Sequence, residues 1–117
     1  MADYYHLDVY KSSYKLLCEL YISLKNLNKE HKYTIGEKIK ERAFEVLLTI
    51  YSANELINKV PALSEALREV EYIRLAVRLL RDLNALNDKK FVNLSVIIDD
   101  VSSQFQKWRR YEEQKRW

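Results

Sequence analysis

Apolar residues return every three or four positions along almost the whole chain, in four runs separated by short polar breaks. In the first run Leu7, Tyr10, Tyr14, Leu17, Tyr21 and Leu24 alternate steps of three and four. The second run is Ile35, Ile39, Ala43, Val46, Ile50, Ala53 and Ile57, and the third is Leu63, Ala66, Val70, Ile73, Val77, Leu80 and Asn84. Phe91, Leu94, Ile98, Val101, Phe105 and Trp108 make the fourth. This period puts each set on one side of an α-helix and predicts helices over about 7–28, 35–59, 62–86 and 89–115.

The breaks carry their own signals. "TIGE" reads as a capping box, with Thr34 as N-cap and Glu37 reaching back. Pro61 closes the second helix and opens the third near its first turn. Asn87 or Asp88 is placed to cap the fourth. Helices of matching length, about 30–39 Å at about 1.5 Å per residue, joined by short loops must run antiparallel to their chain neighbours. The expected fold is all-α: one domain over 1–117, an up-down-up-down antiparallel four-helix bundle.

The seams do not use up the apolar residues. Leu16, Leu20, Ile22 and Leu27 flank the first, Phe44, Leu47, Leu48 and Tyr51 the second, and Leu75, Leu79 and Leu86 the third. A bundle helix needs one stripe a little over about 100° wide. The surplus predicts a second buried surface, most simply between copies of the chain. The alternative is a wide monomeric core with tyrosine hydroxyls at its rim.

Composition supports long helices. Of 117 residues, 48% are apolar and 32% charged, while Gly36 and Pro61 are the only glycine and proline, too few turn formers for a β fold. The lone Cys18 excludes an internal disulfide and fits a reducing compartment. No apolar run approaches the roughly 18 residues of a membrane span, and "MADYYHLDVYK" has no signal-like apolar core. A soluble, cytoplasmic protein without membrane contact is expected.

Catalytic chemistry has little to work with. The histidines, His6 and His31, are far apart, and no Glu-x-x-His pair marks a di-metal bundle. Glu37, Glu41 and Glu45 line one helix face, interleaved with Lys38, Lys40 and Arg42, and read as a solvated face. Cys18 lacks a basic or histidine neighbour and reads as a small core residue. Asp99 and Asp100 have no evident third ligand. The expectation is a protein that is not an enzyme and holds no metal or cofactor.

What stands out is "YIRLAVRLLRDLNAL", residues 72–86. Wound as a helix, it brings Arg74, Arg78 and Arg81 within about 60° of one another, while Arg68 points elsewhere. Glu71 and Asp82 are spaced to pair with Arg74 and Arg78, yet two acids leave a net positive strip. Guanidinium forks bind phosphate in bidentate fashion and stack on bases. A net charge of +3 is too small to argue for nucleic acid by itself, but a strip repeated around a ring of subunits concentrates it. The tail "QKWRRYEEQKRW" interleaves Lys107, Arg109, Arg110, Lys115 and Arg116 with Trp108, Tyr111 and Trp117, a pattern able to stack on single-stranded bases. Trp108 also completes the fourth seam, and Glu112 and Glu113 dilute the patch. On pattern alone, nucleic-acid binding and a protein-interaction scaffold stand level.

The stretches "VYKSSYKLLCELYISL", "TIGEKIKERAFEVLLTIYSAN", "YIRLAVRLLRDL" and "VIIDDVSSQFQKWRRY" resemble a family of small bacterial four-helix bundles. One branch comprises the accessory variability determinants of diversity-generating retroelements, and another is encoded in intervening sequences of ribosomal RNA genes. The first branch implies a homopentameric barrel with a basic channel, which binds RNA or DNA and partners the retroelement reverse transcriptase without doing chemistry. In that reading, acidic residues such as Glu37, Glu41 and Glu45 are contacts for a basic reverse transcriptase. Its paired arginines, four residues apart on the third helix, fall on Arg74 and Arg78. The second branch implies a stand-alone protein-interaction module.

Overall fold

The computed structural model describes the backbone of residues 3–115 and the side chains of residues 6–115. Four long helices carry the fold: α1 (Asp3–Ser23), α2 (Glu37–Glu55), α3 (Val60–Asp82) and α4 (Asp88–Glu113). Each packs on its chain neighbours, and α1 closes against α4, giving an antiparallel four-helix bundle of 49 × 22 × 19 Å. Its long dimension suits helices of this length laid side by side.

The core seams of the last three helices are those read from the sequence. Ile39, Ala43, Val46, Ile50 and Ala53 of α2 are buried, as are Leu63, Ala66, Val70, Ile73, Val77 and Leu80 of α3. Leu94, Ile98, Val101, Phe105 and Trp108 of α4 face them. The first helix is rotated relative to expectation. Its inward face is Val9, Ser13, Leu16, Leu17, Leu20 and Ser23, with Leu24 buried just after it, while Leu7, Tyr14 and Tyr21 look outward and Tyr10 is half-buried. Two stripes on α1 obey the same period, and the one containing Ser13 buries the pure hydrocarbon. The tyrosine stripe keeps its hydroxyls in water. This rotation absorbs Leu16, Leu20 and Leu27 into the core, and Leu47 and Leu86 are buried too. Much of the apparent surplus is therefore the monomer's own core.

Caps decide the joints. After a turn at residues 24–28, Asn28 accepts a hydrogen bond from the His31 amide at 3.1 Å and opens a short helical lead, Lys29–His31. This runs through a π-helical turn, Lys32–Gly36, straight into α2. The expected capping box is absent. Thr34 lies inside the continuous helix, and its hydroxyl donates to the Glu30 carbonyl at 2.5 Å. Gly36 is buried where a Cβ would stand 3.0 Å from the His31 carbonyl and 3.2 Å from Leu27 Cδ1, so its lack of a side chain lets the turn sit against the core.

At its end, α2 stops with Leu56 in extended conformation, and the Lys59 ammonium donates to the carbonyls of Asn54 and Leu56. Ile57, expected to extend the seam, is exposed in the turn. Pro61 sits in the first turn of α3, where a missing amide costs nothing. Asn84, also expected in a seam, instead ends α3 in the left-handed region at φ 60°. The Ala85 amide donates to Leu80 at 2.8 Å and the Asn84 amide to Arg81 at 2.9 Å, the bond pair of a Schellman motif. Leu86 then buries itself, and Asn87 caps α4 by accepting from the Lys90 amide at 2.8 Å.

Candidate nucleic-acid interface

The arginines of α3 lie along its edge with α4. Arg74 is held from both sides: its Nε donates to Glu71 at 3.1 Å, and its Nη1 donates to the Asp99 carboxylate on α4. The Asp99 hydrogen bond raises the Arg74 pKa above its ordinary value against the opposing effect of burial, with Glu71 adding to it. Arg81 bonds Asp82 at 3.2 Å and lays its guanidinium 4.3 Å from the Phe91 ring centroid of α4. Arg78 lies between them with 68% of its side chain exposed, its Nε 3.9 Å from the same Asp82. At that distance it is the least committed of the three.

The carboxylates therefore match the strip one for one: Glu71, Asp82 and Asp99 against Arg74, Arg78 and Arg81. The net positive strip expected from the sequence is neutralised, because Asp99 arrives from another helix. Arg68 stands apart, paired with Glu65 at 2.9 Å. Asp100, the neighbour of Asp99, turns the other way and accepts from Ser12 of α1 at 2.7 Å. Two adjacent acids thus serve two different seams, and among the described residues no group of three or more His, Cys, Asp or Glu side chains could hold a metal ion.

The tail supplies less than its sequence promised. Trp108 is buried and cannot stack on a base. Arg109 donates to Ser64 of α3 at 3.3 Å, adding a further guanidinium to the α3–α4 seam. Lys107 and Arg110 are exposed, and the Lys115 ammonium stands 5.0 Å from the Tyr111 ring. Glu112 is fully buried in the last turn with Lys115 at 3.1 Å. Arg116 and Trp117 lie outside the described residues. Cys18, expected in the core, is exposed on α1.

Two features escaped the sequence reading. Arg42 of α2 bonds Glu69 of α3 at 2.7 Å and stacks 4.3 Å from the Tyr72 centroid, clamping that seam. The bond with Glu69 raises the Arg42 pKa above its ordinary value. A second is the tyrosine cluster on the α1–α2 side: Tyr10 stacks on Tyr14 with centroids 6.2 Å apart and meets Tyr51 edge-on at 5.7 Å. No helix among the described residues is long and apolar enough to cross a membrane.

The sequence profile of a family described as bAvd-like matches residues 9–112, nearly the full bundle. No curated protein matches the chain.

Proposed function

The chain belongs to the bAvd-like family, whose fold is that of the accessory variability determinants of diversity-generating retroelements, and we propose that it acts as such an accessory protein. The fold is non-catalytic. In this reading it binds template RNA or its cDNA, partners the retroelement reverse transcriptase, and assembles as a homo-oligomer, a pentameric ring. The family match over residues 9–112 is the observation that carries it.

Arg78 is the primary phosphate contact in this reading, with Arg74 and Arg81 on either side. Its guanidinium is largely exposed and held only at 3.9 Å, so a phosphate can take it at small cost. Self-association is supported by Leu75 and Leu79, which stay exposed on α3 beside half-buried Ile35 and Tyr72. The test is anisotropy of a labelled single-stranded RNA over a range of salt, with light scattering for mass. Arg78→Ala is expected to weaken binding severalfold and to reduce the salt slope by about 0.7 per subunit contact, with the helical spectrum unchanged. A mass near five times 14.1 kDa is expected. Unchanged RNA binding by the variant would overturn the role of Arg78.

A second reading is a stand-alone bundle of the ribosomal-RNA intervening-sequence type that serves as a protein-interaction module. One observation favours it: the strip carries as many carboxylates as guanidiniums. A neighbouring reverse transcriptase gene with a template and variable repeat pair separates the two.

A further inference from the structure

On the side of the bundle away from the arginine edge, α1 and α2 leave a shallow cleft of about 360 Å³. Its floor is apolar, made by Tyr21, Phe44 and Leu48, each about half exposed. Its rim is a row of carboxylates, Glu37, Glu41 and Glu45, one helical turn and about 6 Å apart along α2. None of the three makes an ion pair among the described residues, whereas Arg42, Arg68, Arg74, Arg78 and Arg81 all do. Lys40 lines the same cleft but lays its ammonium over the Tyr21 ring, 4.6 Å from the centroid, and Arg42, which feels Glu41, spends its hydrogen bond on Glu69. Like charges at i, i+4 repel, so this row works against its own helix.

We propose that this cleft docks a basic amphipathic helix of a partner protein, with apolar side chains on Tyr21, Phe44 and Leu48 and Arg or Lys residues answering Glu37, Glu41 and Glu45. The chemistry selects the occupant. An apolar floor between two helices is the shape that receives a third helix. Three carboxylates without an ion pair at i, i+4 and i+8 complement a ridge of cations with the same spacing, and they repel the phosphates of a nucleic acid. The proposal rests on the accessory-protein reading for the existence of a protein partner, and it assigns that partner a face distinct from the arginine edge.

The probe is a labelled synthetic helix with Arg at i, i+4 and i+8 beside a leucine stripe, titrated against the full chain. Saturable, salt-sensitive binding is expected, weakened at least tenfold by Glu37→Gln, Glu41→Gln and Glu45→Gln together and comparably by Phe44→Ala. All four positions are on the surface, and an unchanged helical spectrum verifies the fold. The same variants are expected to bind single-stranded RNA as well as the parent or better, so loss of the peptide alone and loss of RNA binding are read separately. Equal peptide binding by parent and variants would overturn the proposal, as would equal binding of a peptide with the same leucines and Glu in place of Arg. A drop in oligomer mass on Phe44→Ala would also overturn it, by giving the cleft to a second copy of the chain.

Discussion

Arg74 of α3 and Asp99 of α4 form an ion pair across the seam between their helices, and the same guanidinium also bonds Glu71. The pair ties α3 to α4 at the surface of their seam and at the same time takes Arg74 away from any phosphate. Asp99→Asn is expected to separate these roles. More than a third of the Arg74 side chain is exposed, so solvent screening limits the loss of stability to about 0.5–1 kcal/mol. Single-stranded RNA affinity is expected to rise, since Arg74 gains freedom and the edge gains net positive charge. Thermal unfolding and RNA anisotropy on the same preparation check both.

Asn84 ends α3 at φ 60°, with Ala85 and Leu86 folding back onto the Leu80 carbonyl. A β-branched residue there meets the left-handed penalty of about 1–2 kcal/mol, and Gly does not. Asn84→Val is therefore expected to lower Tm by several degrees, and Asn84→Gly to leave it within a degree or two. Calorimetry of the two variants is the measurement.

Tyr10 responds to alkaline pH. Polar interaction with the Tyr51 hydroxyl is the largest cause holding its phenol above the ordinary value of 10.0, followed by charge repulsion from Tyr51, burial and Tyr14. A folded-state pKa above the unfolded one contributes stability in full below the unfolded value, and that contribution fades as pH rises through the folded value. Ring-carbon NMR titration is expected to show Tyr10 ionising later than an ordinary phenol and returning toward 10.0 in Tyr51→Phe. The stability difference between parent and variant is expected to shrink above about pH 10.

The bundle was legible because three of its helices each carry a single dominant apolar stripe with the helical period. The first does not: tyrosine satisfies an apolar pattern while preferring a wet rim, and Ser13 hid the stripe containing Val9, Leu16 and Leu20. Thr34 and Glu37 had the spacing of a capping box, but Asn28 caps the chain earlier and the π turn carries the helix through. Arg74, Arg78 and Arg81 were found by their spacing on one helix. Their charge balance was not, because Asp99 lies 25 residues from Arg74 and reaches it only through the packing of α4 on α3. Local charge spacing reports pairs within a helix, and it says nothing of partners across a seam.

Asp82 is shared, 3.2 Å from Arg81 and 3.9 Å from Arg78. Arg81 hydrogen-bonds one carboxylate oxygen while Arg78 only approaches the other. An arriving phosphate that took Arg78 would hand Asp82 wholly to Arg81, so no charge on the edge would be stranded by the exchange. The shared carboxylate makes Arg78 replaceable within its own contacts, which is the property a residue needs if it is to let go of the protein and take hold of a chain passing by.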